Sequence, residues 1–270
     1  MNFHLYESFA MKVAREAGQI LRDNFQKKFA INYKGTGKNN LVTAIDRLSE
    51  NFIIKSIQAR FPDHHILTEE SGEVDIKTTT KRRFRWIIDP IDGTNNYAHA
   101  HPFFAVSIGL EMNGEMVVGV VYAPMYDELF HGTKGGGAFL NGKSIHVSKV
   151  KKIEEAILAT GFSYRNKEKN FPYFEHFALE AQGTRRCGAA ALELAYLAAG
   201  RQDGFWEFGL KSWDFAAGKV LIEAAGGKIT NIEGKTLQLS DHNLIGSNKD
   251  LYPEILKNIQ LVKKRSNKTS

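Results

Sequence analysis

The sequence predicts a mixed α+β or α/β fold built as two layered halves, residues 1–150 and 151–270, packed intimately enough to count as one domain. Three observations carry this expectation. The first 60 residues hold two stretches of helical apolar spacing. A run rich in β-branched and aromatic residues, with two Asn-Gly pairs, fills roughly residues 84–148. Beyond about Lys151, short apolar strands alternate with helical segments. That texture belongs to layered helices and sheets.

From Phe3 to Phe25 the apolar positions Leu5, Phe9, Val13, Ala17, Ile20 and Leu21 fall at helical spacing, so one amphipathic helix is expected there. Tyr33–Asn40, "YKGTGKNN", has turn chemistry. A second helix is expected from Asp46 until Pro62 ends it. "HILTEESGE" is a short apolar stretch running into acids, and "DIKTTTKRR" reads as an exposed loop. Phe84–Ile88 reads as a strand, followed by strands in "FFAVSIGLEM", "EMVVGVVYAP" and "ELFHGTKGGGAFLNGKSIHVS". Asn113-Gly114 and Asn141-Gly142 mark hairpins between such runs. The glycines of "GTKGGGAFLNG" lack the Lys-Ser/Thr ending of a phosphate loop and read as a tightly packed hairpin. "EEAILATGFS" is strand-like, "AALELAYLAAG" helical and "DGFWEF" a strand, with Phe205 and Trp206 in the core. "DFAAGKVLIEAAGG" is a helix closed by Gly226-Gly227. "KITNIEG" and "NLIGSN" are further strands, and the tail "VKKRSNKTS" reads as frayed.

Composition bounds the function. Of 270 residues, 43% are hydrophobic and 24% charged, ordinary values for a folded chain. The net charge of +6 favours anionic partners, metabolite phosphates as much as nucleic acid. The basic segments "TTTKRR" and "VKKR" are scattered and not interleaved with aromatics, which argues against a nucleic-acid partner. The single cysteine, Cys187, excludes an internal disulfide and points to a reducing, cytoplasmic setting. Glu7 and Glu16 interrupt the N-terminal apolar pattern, so it is not a signal peptide. No apolar run approaches membrane-spanning length, so no membrane partner is expected.

The chemistry is concentrated in Asp89-Pro90-Ile91-Asp92-Gly93-Thr94. Pro90 fixes its own backbone and forces Asp89 to be extended, so the strand is expected to stop at Asp89. Two carboxylates about 4 Å apart repel by on the order of 4 kcal/mol at an effective dielectric near 20. No Lys or Arg lies within the motif to offset this. A hard divalent cation would, bound by both acids and by a carbonyl such as that of Ile91. Gly93 and Thr94, with Thr94 as cap, would open a short helix whose N–H groups suit a phosphate oxygen. Taken alone, a turn whose acids cap N–H groups accounts for the motif as well. The same ambiguity attends Asp214 and Asp46 at helix starts, and at most one of Glu69 and Glu70 can face a common site. His99 and His101 read as surface or packing residues and not a metal pair. His64 and His65 read as solvent-facing, and Cys187 as a structural thiol.

Taken together, "WIIDPIDGTNNYAHAHPFFAVSIGL", "WDFAAGKVLIEAAGG", "TEESG" and "LVTAID" resemble the signature segments of the inositol monophosphatase family, in matching order and spacing. The resemblance runs from the first helix to about residue 248. It implies a layered αβαβα sandwich of the sugar-phosphatase type and a lithium-sensitive, Mg2+-dependent phosphoric monoester hydrolase. It also implies two to three Mg2+ ions per site, with Mn2+ able to substitute, and a homodimer. By the same resemblance Glu69, Asp89, the Ile91 carbonyl, Asp92 and Asp214 would hold metal. Asp92, Gly93, Thr94 and Asp214 would contact substrate. Gly188, Ala189, Ala190 and Glu207 would face its ring hydroxyls. Thr94, Asp46 and Glu69 would serve the attacking water, with Asp46 hydrogen-bonded to Thr94.

The oxygen-only ligand set suits Mg2+ better than Zn2+. The expected reaction is hydrolysis of a small phosphorylated metabolite, inositol monophosphate first, by in-line attack of water with no covalent intermediate. Fructose 1,6-bisphosphate or NADP(H) is the alternative substrate at the same site, and RNA or transcription-complex binding a minor alternative of another class. The chain departs from the family pattern at Asn40, where an acid is usual, in the spacing from Lys34 to Asp46, and at Ala189 and Ala190, which leave that wall without hydroxyls.

Overall fold

The computed structural model describes residues 3–27, 31–33, 41–74, 83–162 and 167–266, with backbone alone at 31–33 and 41–43. The helices are α1 (His4–Asn24), α2 (Ala44–Arg60), α3 (Thr94–Ala98), α4 (Phe171–Glu180), α5 (Ala190–Ala198), α6 (Ser212–Ala224) and α7 (Tyr252–Ser266). The strands are β1 (Ile31–Tyr33), β2 (Leu41–Thr43), β3 (His65–Thr68), β4 (Gly72–Val74), β5 (Phe84–Asp92), β6 (Ala105–Met112), β7 (Glu115–Ala123) and β8 (Glu128–Thr133). They continue with β9 (Gly137–Leu140), β10 (Lys143–Ile145), β11 (Ile157–Thr160), β12 (Gly183–Arg185), β13 (Gly204–Phe208), β14 (Lys228–Asn231) and β15 (Asn243–Ser247).

Two large sheets organise these elements. One has eight strands in the order β10-β9-β8-β7-β6-β5-β3-β4, the other five in the order β12-β11-β13-β15-β14. The first is antiparallel except where β3 runs parallel to β5. The amphipathic helices α1 and α2 cover its outer face, with α1 against β6 and β7 and α2 against β5. Helices α5 and α6 lie between the sheets; α6 packs on β5 to β8 and on β14, and α5 on β7, β13 and β15. Helices α4 and α7 close the far side of the five-stranded sheet. The layers are therefore helix, sheet, helix, sheet, helix, an α+β fold of the expected αβαβα kind. Burying a sheet on both faces needs near-continuous apolar strands, which Trp86–Ile88 and Val117–Val121 supply.

The predicted hairpins form. Asn113 and Gly114 take φ of 53° and 86°, and Asn141 and Gly142 take 48° and 77°, the left-handed pair of a two-residue turn. Other expectations are corrected. Strand β5 does not stop at Asp89 but continues to Asp92. The register jumps from Asp89 opposite Ser107 to Asp92 opposite Ala105, so Pro90 and Ile91 together oppose Val106. A bulge tolerates proline, because the amide it lacks is not required by the ladder there. Helix α2 begins at Ala44, two residues before Asp46. Gly93, and not Thr94, precedes the first turn of α3, with φ of 93°, a conformation that costs glycine nothing. Helix α7 extends through Arg265 to Ser266, so most of the supposed frayed tail is helical. "YKGTGKNN" from Lys34 on, most of "DIKTTTKRR" and the last four residues lie outside the described residues.

Candidate active site

The end of β5 brings the expected acids together, and it does so through the bulge. Asp89 and Asp92 are 2% and 4% exposed, so the strand carries both carboxylates into the protein. The Ile91 amide donates to Asp89 Oδ1 at 3.0 Å. The Leu192 amide, in the first turn of α5, donates to Asp92 Oδ2 at 2.9 Å. Asp214, half-buried in the first turn of α6, accepts the Lys211 amide at 2.6 Å. Glu69 follows β3, which runs alongside β5 and delivers the turn Thr68–Ser71 to the same strand end.

The electrostatics bind these acids into one site. Burial pushes the Asp89 carboxyl well above its ordinary range, and the negative charges of Glu69, Asp92, Asp214 and Asp46 push it further. Burial raises Asp92 to about 7 against the opposing pull of the Leu192 and Ala191 amides, with Glu193 and Glu69 adding repulsion. Asp214 is raised by burial and then by Glu69 and Asp92, the Lys211 amide opposing. The charges acting most strongly on Asp89 are all carboxylates. Of the pair Glu69 and Glu70, Glu69 is the one that acts on all three aspartates.

Whether this set suits a divalent cation is a question of donor chemistry and charge. Every candidate ligand is an oxygen, and the concentration of negative charge inside the protein calls for a cation to offset it. Among the described residues no three Asp, Glu, His or Cys side chains are already drawn together tightly enough to hold an ion. The aspartates instead accept hydrogen bonds from neighbouring backbone amides, as mutually repelling carboxylates do. The donor set fits a hard cation such as Mg2+.

Thr94 stands beside the acids. Its hydroxyl lies 2.9 Å from Asp46 Oδ1 and 3.0 Å from the Ile91 carbonyl oxygen. Asp46 is fully buried in the first turn of α2. The expected pairing of Asp46 with Thr94 is thus present, and the Ile91 carbonyl faces the threonine hydroxyl.

The expected substrate wall closes on the same point. Gly188 and Ala189 lead into α5, and a methyl group built on Gly93 would fall 3.1 Å from Ala189 Cβ and 3.4 Å from the Gly188 carbonyl. The motif glycine and the wall are therefore in contact. Ala190 opens α5. Glu207, in β13, is 8% exposed. Its carboxyl is raised far above the ordinary range by burial, then by Glu193, Asp214 and Asp92, with Arg186 opposing. The Gly161 backbone lies against it, so closely that a methyl there would sit 2.1 Å from Glu207 Oε1.

The structure also corrects and adds. His64 is buried, not solvent-facing: it stacks between Phe61 and Phe84 at 4.8 and 4.4 Å and lies 3.1 Å from Trp86 Nε1. His99 and His101 are exposed. The Cys187 thiol is pushed up to about 12 by burial and by Glu193, which suits an inert thiol. Three residues were missed. Glu193 is fully buried, accepts the Cys187 amide at 3.1 Å, and is raised to about 7 by burial. Asn96 donates to the carbonyls of Phe103 at 2.7 Å and Cys187 at 2.8 Å. Glu50, in α2, is 2% exposed and accepts three hydrogen bonds from the Thr68–Ser71 turn. A lone acid within a helical pattern reads as a solvated face, and no local signal marks it otherwise.

Comparison with known proteins follows this geometry. The profile of the inositol monophosphatase family matches residues 4–264. The chain is 39% identical to "Nus factor SuhB" of Escherichia coli (strain K12) over 260 residues, 95% of this chain and 96% of that one. Among solved structures it is similar to the inositol monophosphatase of Anabaena (Nostoc) sp. PCC 7120, with TM-score 0.86, 38% identity and 97% of both chains covered. It is also similar to the extragenic suppressor protein suhB of Bartonella henselae, with TM-score 0.87, 35% identity, and 93% of this chain and 97% of that chain covered.

Proposed function

The chain belongs to the inositol monophosphatase family, and on that premise we propose that it hydrolyses a small phosphate monoester with the help of divalent metal, inositol monophosphate being the first candidate substrate. The observation that carries the reading is the cluster of Glu69, Asp89, Asp92 and Asp214, acids from three separate segments whose charges add to burial in raising the three aspartates. A fold does not by itself retain such repulsion without a use for it.

Mg2+, with Mn2+ able to substitute, would be held by Glu69, Asp89, the Ile91 carbonyl, Asp92 and Asp214, and would supply charge neutralisation and Lewis acidity toward phosphoryl oxygens. The remaining chemistry is the chain's own. Asp46 accepts the Thr94 proton at 2.9 Å, which leaves Thr94 Oγ1 lone pairs to accept from an attacking water. A lone threonine whose base is a buried carboxylate is a poor nucleophile itself, so water is the attacking group. The backbone amides of Gly93 and Thr94 are the donors assigned to the phosphoryl group. Glu207, whose carboxyl burial raises, would offer its oxygens to ring hydroxyls. Apolar Ala189 and Ala190 shape the wall without adding hydrogen bonds.

The test is phosphate release from a panel of inositol monophosphate, fructose 1,6-bisphosphate, NADP and a 3′-phosphonucleotide, with Mg2+ and with chelator. Mg2+-dependent release is expected, falling by about 10³-fold or more in Asp89→Asn and in Asp214→Asn while both remain folded. Parental turnover in either variant would refute the ligand assignment, and preference for fructose 1,6-bisphosphate or NADP would reassign the substrate. A second reading is favoured by the relatives named Nus factor SuhB, namely a role within a transcription complex beside the hydrolytic one. A salt titration of RNA binding tests it, and no measurable affinity at moderate salt rejects direct RNA binding.

A further inference from the structure

Helix α2 presents one buried face to three separate parts of the site. Asp46, Ser49 and Glu50 fall at i, i+3 and i+4, the spacing of one helical face, and are 0%, 0% and 2% exposed. Asp46 accepts the Thr94 hydroxyl at 2.9 Å. Ser49 donates to the Pro90 carbonyl at 3.1 Å, within the bulge between Asp89 and Asp92. Glu50 reaches the third part, the turn after β3. Its Oε2 accepts the Thr68 hydroxyl at 2.6 Å and the Glu70 amide at 2.9 Å, and its Oε1 accepts the Ser71 hydroxyl. The three donors all belong to the turn that carries Glu69, and they bracket it on both sides.

We propose that Glu50 is a positioning residue whose carboxylate fixes the Thr68–Ser71 turn and thereby aims Glu69 at the acids of β5. A turn held at one end could swing Glu69 in or out; a turn held at Thr68, Glu70 and Ser71 cannot. The energetic argument runs the same way. Glu69 adds its charge to those acting on Asp89, so the backbone that carries it sets how its carboxylate lies against that cluster. A buried carboxylate satisfied by three donors is a rigid anchor, because its removal strands each donor. Oxygens that orient a metal ligand in this manner ordinarily change metal affinity by about 10–100-fold when removed.

This inference rests on the metal reading of the acid cluster, and the experiment separates the two. Mn2+ binding is measured by calorimetry on the parent, Glu50→Ala, Glu50→Gln, Glu69→Ala, the double variant Glu50→Ala/Glu69→Ala and Asp89→Asn, with thermal unfolding of each. Glu50→Ala is expected to weaken the Mn2+ site that includes Glu69 by about 10–100-fold, with Glu50→Gln intermediate because its amide oxygen still accepts. In the Glu69→Ala background the Glu50→Ala change should add less than twofold, since Glu50 acts through Glu69. Parental Mn2+ affinity in folded Glu50→Ala, or full additivity in the double variant, overturns the proposal. If Glu50→Ala does not fold, Glu50→Gln decides by the same criteria. No Mn2+ binding in the parent, or unchanged binding in Asp89→Asn, overturns the metal reading and this inference with it.

Discussion

At the scale of single residues, Glu193 shows how much a site can depend on a side chain outside its motifs. It is fully buried in α5, receives the Cys187 amide, and leaves Oε2 without a hydrogen-bond partner among the described residues. Burial raises its carboxyl from 4.5 to about 7. The folded protein therefore holds this proton up to about pH 7, whereas the unfolded chain releases it near 4.5. Between those values the unfolded state binds fewer protons, so stability is lost as pH rises, on the order of 3 kcal/mol in all. Glu193→Gln keeps the shape without the titration. Its melting temperature relative to the parent should rise between pH 5 and pH 8, by roughly 2–4 °C per kcal/mol for a chain of this size. A pH-independent difference in paired thermal scans would contradict this. The acids Asp89 and Asp92 stood out in the sequence because proline, glycine and repelling carboxylates leave a local signature, whereas Asp214 alone read as a helix cap and was assigned through the family resemblance. Glu193 and Glu50 did not stand out, because their roles arise from what the tertiary fold packs around them. His64 misled for the same reason: two adjacent histidines look polar, and only the rings of Phe61 and Phe84 make one of them part of the core.

At the scale of elements, the site is a set of joints between segment ends. The bulge in β5 sends Asp89 and Asp92 into the same interior region. Helix α3 is tied to the start of α5 by Asn96, which bridges the Phe103 and Cys187 carbonyls. Losing that bridge leaves two carbonyls without their donor, a cost of roughly 1–3 kcal/mol, and frees the Cys187–Ala190 wall from the Gly93 turn. Asn96→Ala is therefore expected to raise KM about tenfold with a smaller change in kcat, because the proposed role of the wall is to contact the body of the substrate and not the reacting phosphorus. Steady-state kinetics measures this, and an unchanged KM would show that the joint does not position the wall. The helices and hairpins with strong periodicity or Asn-Gly turns could be read from sequence. Helix α4, "FPYFEHFALE", was not identified, although Tyr173 and Phe177 stand four residues apart and both pack into the core. The end of β5 was placed too early because proline reads as a terminator until a bulge accommodates it.

At the scale of the whole molecule, five layers bring distant segments to one place at the end of β5. Residues 46, 69, 89–94, 188–193, 207 and 214 come from α2, the turn after β3, the end of β5 with the start of α3, the entry and first turn of α5, β13 and α6, and the charges among them act across those boundaries. No helix among the described residues is long and apolar enough to cross a membrane. A chain of net charge +6 thus gathers several buried carboxylates at one point, where on the proposed reading a divalent cation would join an anionic ester to them. The layered fold was foreseeable from the order of helical and strand patterns, since each amphipathic face needs a partner layer. The convergence of acids more than 100 residues apart rested on the family resemblance, because spacing along a chain does not encode distance in space. The most direct measurement is anomalous diffraction from crystals soaked in Mn2+. The account predicts peaks bounded by Glu69, Asp89, Asp92 and Asp214, with the Ile91 carbonyl oxygen at coordination distance from one of them. Peaks only elsewhere on the surface, or none at millimolar Mn2+, would contradict it.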